Sequence, residues 1–211
     1  MTGEWRSGTD VEYRLEPPLG EQAVRALRVG DTVLLDGTIW GIRDATLIRI
    51  FDHGRASPAD LRGGVLLHVA PNVRPSAAAP SGYEPTTVGT TTSMRMDRFT
   101  EGVLVDYGVR AIIGKGGLSD QSSAALARYG AVYLAIVGGA ASVETEQVEA
   151  IERVYWEDLM PECLWQFRVR SFGPLIVAMD STGASMYRDV AARARQRLAD
   201  VYAKLGLRDE P

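Results

Sequence analysis

The chain has 211 residues, 45% of them hydrophobic and 24% charged, a balance that suits a globular protein with one sizeable core. A formal net charge of −4 excludes a general nucleic-acid footprint. One cysteine and two histidines leave no internal disulfide and no self-contained zinc or iron–sulfur site.

Residues 1–20 are polar, contain Pro17-Pro18 and read as an arm leading into a domain over 21–187. They hold no apolar signal core, and no later run approaches the roughly 20 apolar residues that cross a bilayer. The expectation is a cytoplasmic protein with neither membrane nor nucleic-acid partners. "DTVLLDGTIW" (31–40) predicts two short strands broken at the turn dipeptide Asp36-Gly37. "RDATLIRIFDHG" (43–54) spaces Ala45, Ile48 and Phe51 for a helix that Gly54 can stop. "GGVLLHVAP" (63–71) predicts a buried strand. Residues 72–90, dominated by Pro, Gly, Ser and Thr, predict a flexible surface loop of the kind that often carries function.

Farther on, "VRAII" and "AVYLAIV" predict strands around the helix "SDQSSAALARYG", with Ser119 as N-cap, Asp120 suiting the dipole and Gly130 closing the end. A strand near "IERVYW", a helix in "PECLWQFRVRSF", a strand "PLIVAMD" and a turn at Ser181–Gly183 follow. Residues 187–205 place Val190, Ala194, Leu198, Val201 and Leu205 on one helical face, with most arginines opposite. The segment 188–211 is expected as an amphipathic helix packed on the same domain. This alternation predicts a mixed α/β fold and leaves its sheet order open.

"GVRAIIGKGGLSD" (108–120) sets Lys115 between glycines after an apolar run, which invites a phosphate-loop reading. It fails: Gly116 stands where a Walker loop needs Ser or Thr, and Gly108 does not give the spacing. "GGAAS" (138–142) also fails the dinucleotide pattern. In "GTTTSMRMD" (89–97), Thr90, Thr91, Thr92 and Ser93 crowd hydroxyls beside Arg95, whose planar fork suits a carboxylate. The same residues suit an N-cap ahead of a helix near Ser93, with Arg95 solvated. Arg43 stands at a strand-to-helix junction, a common ligand position in open sheets, and could equally pair with Asp44. Lys115 sits at a similar junction. Two arginines and a lysine so placed could converge on a dianionic small molecule. Other candidates read as structural: His68 as a satisfied core histidine, His53 as capping or surface, Cys163 as a buried inert thiol, and Asp97 as a local partner of Arg95 or Arg98.

On these stretches, together with "VYWEDL" (154–159) and "FGPLIVAMDSTG" (172–183), the chain resembles the β subunit of class I fumarases and L-tartrate dehydratases. The pieces run in family order across roughly residues 12–187. The resemblance implies a swivelling β/β/α three-layer domain and a hydro-lyase acting on a short dicarboxylate. It implies a [4Fe–4S] cluster ligated by a partner α subunit, not by this chain, in an αβ or α2β2 assembly. It assigns Arg43 and Arg95 to substrate carboxylates, Lys115 to substrate contact and Thr91 to proton transfer. This chain departs from the family pattern at Thr90, where proline is usual, at Leu47, where histidine is usual, and at Gly117, where asparagine is usual. The departures leave the cations in place and bear on which dicarboxylate is used. A specialised lyase subunit for another dicarboxylate, or a non-catalytic binding or regulatory module on the same fold, are the alternatives.

Overall fold

The computed structural model describes residues 11–136 and 141–206, with the side chains of 141 and 142 outside the description. Parts of "AVYLAIV" and of "GGAAS" therefore lie outside the described residues. Strand β1 (Glu12–Leu15) and helix α1 (Glu21–Ala26) lead into β2 (Thr32–Ile42), α2 (Asp44–Phe51) and β3 (Val65–His68). A hairpin of β4 (Asn72–Pro75) and β5 (Tyr83–Thr87) precedes a 3-10 helix at Ser93–Phe99 that runs into α3 (Thr100–Val105). Then come β6 (Ala111–Gly114), α4 (Asp120–Tyr129), β7 (Val132–Ala135), α5 (Ala141–Glu146), β8 (Val148–Tyr155) and β9 (Leu164–Met179). Helices α6 (Met186–Gln196) and α7 (Leu198–Leu205) end the described chain.

Seven strands form one sheet in the order β1-β2-β3-β6-β7-β9-β8, and β9 also pairs with β2. That extra pairing closes the sheet on itself. Ile176 of β9 faces Ala135 of β7 on one side and Thr32 of β2 on the other. Strands β2, β3, β6 and β7 run parallel, so their C-terminal ends share one edge. Alternation along them sorts the core. Val65, Leu67, Ala111, Ile113, Val132 and Leu134 point into the closed sheet, where they meet Trp165, Phe167 and Val169. Leu66, Ile112 and Tyr133 point out beneath Leu47 and Ile50 of α2, Val103 and Leu104 of α3, and Leu126 of α4.

Helix α4 forms as the sequence predicts. Ser119 Oγ accepts from Ser122 N, and Gly130 closes the helix in the left-handed region at φ 66°. Three expectations are overturned. Asp36-Gly37 is not a turn between two strands but a bulge within one 11-residue strand. Gly37 takes φ 98° there, and Asp36 is held across the sheet by Ser171 N at 2.8 Å.

The expected helix in "PECLWQFRVRSF" is instead the first half of β9. Trp165, Phe167 and Val169 are buried while Arg168 and Arg170 are exposed, a period of two that packing against β2 and β8 satisfies. Most of the irregular stretch 72–90 is the β4–β5 hairpin over 72–87, tied by Arg74–Glu84 at 2.7 Å and by Tyr83 against Trp165. Of the expected helix over 188–211, residues 207–211 lie outside the described residues; the described part spans α6 and α7, with every residue from 188 to 206 except Tyr202 exposed.

Phe167 is fully buried and fills the space above Gly41, where a Cβ would come within 2.4 Å of its ring. Phe167→Ala should lower unfolding stability by about 3–5 kcal/mol, read as a lower urea midpoint at unchanged slope.

Candidate functional site

The C-terminal edge of the parallel strands carries all four residues singled out for chemistry. Arg43 follows β2, Lys115 follows β6, and the segment holding Thr91 and Arg95 crosses the edge between them. Thr91 N donates to His68 O at 2.8 Å, and Ser93 N donates to Lys115 O at 2.9 Å, so this segment is stitched to the ends of both β3 and β6. Thr92 also forms a parallel bridge with Lys115.

Beneath it sits a buried polar node. Ser93 Oγ lies 2.9 Å from His68 Nδ1 and accepts from Tyr133 OH at 2.9 Å. Gly114 makes room for it, since a Cβ there would come within 1.9 Å of Ser93 Oγ. Burial holds the His68 imidazole down to about 4 from its usual 6.5, with Asp44 opposing weakly, so His68 is neutral at physiological pH. It is the satisfied core histidine that the sequence suggests. Burial also raises the Tyr133 hydroxyl well above its ordinary value and keeps it a donor.

Arg43 and Arg95 meet at one carboxylate. Arg43 Nε lies 3.0 Å from Asp44 Oδ2, and Arg95 Nη2 lies 3.3 Å from Asp44 Oδ1. Glu162 approaches Arg43 Nε at 3.3 Å. The pairing of Arg43 with Asp44 that the sequence allows is therefore present, and it joins Arg95 to the same acid. Arg95 keeps half its side chain in solvent and Arg43 about a fifth. Lys115 is half-buried and has no ion pair among the described residues.

Sequence reasoning misses the acids' roles. Glu162 Oε2 accepts from Ala45 N at 2.8 Å, and its carbonyl accepts from Thr46 Oγ1 at 2.6 Å. It thus caps α2, whose own N-cap, Arg43, provides no side-chain cap. The absence of a Ser, Thr, Asp or Asn before Asp44 was the available signal. Asp97 does not pair with Arg95 or Arg98. Its carboxylate accepts from Ser119 N at 2.8 Å and from the hydroxyls of Ser119 and Ser122 at 2.7 Å each, clamping the 3-10 helix to the start of α4. His53 is exposed, and Cys163 is buried with its thiol pushed up to about 11 by burial.

This edge belongs to a recognisable group of proteins. Residues 3–190 match the fumarase C-terminus family. The chain is a member of that family. It is 36% identical over 173 residues to the L(+)-tartrate dehydratase subunit beta of Escherichia coli (strain K12), covering 82% of this chain and 85% of that one. It is 34% identical over 196 residues to the "Putative L(+)-tartrate dehydratase subunit beta" of Methanocaldococcus jannaschii, covering 90% and 98%. It is also 34% identical over 200 residues to the "Putative fumarate hydratase class I" of Geobacillus stearothermophilus, covering 93% of this chain but only 38% of that protein.

The depressed His68 value gives a pH signature. The unfolded histidine binds a proton below about pH 6.5 and the buried one only near pH 4, so stability present at neutral pH is lost as the pH falls between them. The loss should reach about 3 kcal/mol near pH 4. His68→Gln should remove this component, read as a shallower fall of urea-unfolding stability between pH 6.5 and 4 than in the wild type.

Proposed function

We propose that this chain is the β subunit of a two-subunit hydro-lyase that adds or removes water on a small dicarboxylate. The observation that carries the proposal is the meeting of Arg43 and Arg95 at Asp44, on the strand-end edge where Lys115 and Thr91 also stand. Two guanidinium groups around one carboxylate form a subsite for a carboxylate, and Asp44 already shows the geometry such a group would meet. Arg43 spends Nε on both acids, which leaves its terminal nitrogens for an incoming ligand. Asp44 and Glu162 balance the two arginines, so Lys115 supplies the surplus positive charge.

In this reading, substrate is held by Arg43 and Arg95 through one carboxylate and contacted by Lys115. Loss of a proton from the carbon beside a carboxylate spreads negative charge onto its oxygens, and fixed cations stabilise that charge in a water-poor cleft. Thr91, held by its backbone to His68 O, presents a hydroxyl for proton transfer. A threonine hydroxyl is a weak base alone, so it needs a second group or a positioned water beside it. The names of the relatives, a tartrate dehydratase subunit and a class I fumarate hydratase, support the reaction class.

The [4Fe–4S] cluster expected for this reaction does not fit the donors of this chain. Its one cysteine is a buried thiol held in the protonated form, and among the described residues no group of three or more His, Cys, Asp or Glu could hold a metal ion. We assign the cluster to an α subunit, in an αβ or α2β2 assembly, closing over the half-open edge. The subunit-beta names of the relatives support a partner of this kind. The swivelling three-layer β/β/α description and a cytoplasmic location belong to the same proposal. No described helix is long and apolar enough to cross a membrane.

The test is co-expression with the α chain and assay of fumarate, malate and tartrate. Turnover should appear only in the mixture. Arg95→Ala should lower kcat/KM by about 100-fold, the loss of about 3 kcal/mol of charged hydrogen bonding, with co-purification unchanged. Thr91→Val should lower kcat and leave KM close to wild type. Turnover that survives Arg95→Ala, or calorimetric binding of dicarboxylates with no turnover in any mixture, would contradict the proposal. The latter would point to a binding module.

A further inference from the structure

The end of the chain leaves the body of the protein. Ser185 Oγ caps α6 by accepting from Arg188 N, and Tyr187 packs its ring on Tyr133 and over Gly117, so the first turn is anchored beside the Lys115 loop. From residue 188 to residue 206 every residue except Tyr202 is exposed. Arg197, at φ −91° and ψ −6°, carries the chain from α6 into α7 without a loop. Yet the surface is amphipathic. Val190, Leu198, Val201 and Leu205 are 51%, 43%, 44% and 65% exposed, and together with Ala194 they fall within an arc of about 80° at 100° per residue. A helix of this length is marginal alone in water, and its apolar stripe calls for a cover.

The flanking charges say what that cover is. Asp189, Arg193, Asp200 and Lys204 all fall on the same side of the stripe. When two such helices pack antiparallel about a two-fold axis, the same flanks face each other. One register then sets Asp189 against Lys204 of the second copy and Arg193 against its Asp200, each contact occurring twice. The same register places Val190 between Val201 and Leu205 of the second copy, Ala194 beside its Leu198, and Arg197 opposite its Gln196. A parallel pairing would instead set this flank against the opposite one, which holds Ala191, Arg195 and Tyr202 and no acid. The family match covers residues 3–190, which include only the first residue of the stripe.

We propose that residues 186–205 form an antiparallel helix pair with a second copy of this chain. The stripe supplies the apolar seam and the two sets of opposite charges fix the register. Pairing places two strand-end edges, each carrying Arg43, Arg95 and Lys115, in one assembly, and it does not depend on the proposed reaction.

Sedimentation equilibrium of the full chain without any partner tests this. The wild type should sediment at twice the 22.9 kDa chain mass. Leu198→Asp with Val201→Asp, at positions already exposed, should give a folded monomer. Asp189→Lys alone should weaken the dimer by about tenfold or more, and adding Lys204→Asp should restore it. A wild-type monomer at all concentrations would overturn the proposal, as would a dimer that survives Leu198→Asp with Val201→Asp, or a charge swap that fails to rescue. A stripe whose substitution blocks only association with an α chain would also overturn it, by assigning the face to that chain.

Discussion

The site depends on where one serine hydroxyl sits. Ser93 Oγ is fully buried between His68 Nδ1 and the Tyr133 hydroxyl, in a space that only glycine at 114 leaves open. A buried hydroxyl without partners is costly, so these contacts define where the segment must lie. With Thr91 N on His68 O and Ser93 N on Lys115 O, the segment cannot slide along the strand ends. The positions of Thr91, Thr92 and Arg95 follow from that constraint. Asp97, two residues beyond Arg95, fixes the other end of the segment to α4. Neutral His68 suits this role, because a charged imidazole here would have neither solvent nor a direct acidic partner.

The electrostatic arrangement above this node is almost balanced. Arg43 and Arg95 face Asp44, Glu162 also approaches Arg43, and Lys115 follows β6 on the same strand-end edge. The acids do two things at once. Glu162 caps α2 and so fixes the direction in which Arg43 leaves β2, while Asp44 holds the two guanidinium groups at a common point. Because Arg95 is half in solvent, its contact with Asp44 contributes little to stability. Its value lies in orientation. In the proposed assembly, this cation-lined edge supplies half of a cavity and the partner supplies the rest.

Much of this was legible in sequence where the signals are local. The N-cap Ser119 and the stop at Gly130 need only neighbours in the chain, and α4 forms where expected. Helix α2 forms as well, but it buries Thr46, Leu47 and Ile50 rather than Ala45, Ile48 and Phe51, and it ends before Gly54. The errors fall where distant partners decide. Asp36-Gly37 looks like a turn until β9 lies alongside, when it becomes a bulge bound to Ser171. The first half of β9 shows period-two burial that a run containing Leu164, Trp165 and Phe167 disguises as an apolar helix. The hairpin at 72–87 is hidden by its prolines, which sit on a two-stranded ribbon outside the main sheet. In the site, the cations could be named from sequence. The contact of Arg95 with Asp44 could not, since 51 positions separate them and only the stitched segment brings them together.

The proposed role of Arg43 and Arg95 is to grip one substrate carboxylate together at this edge. A crystal structure of the chain co-purified with its α partner and soaked with a dicarboxylate tests it most directly. One ligand carboxylate should lie within hydrogen-bond distance of both guanidinium groups, with Lys115 Nζ on the same ligand. A dicarboxylate seated elsewhere, with Asp44 still filling the space between the two arginines, would contradict it.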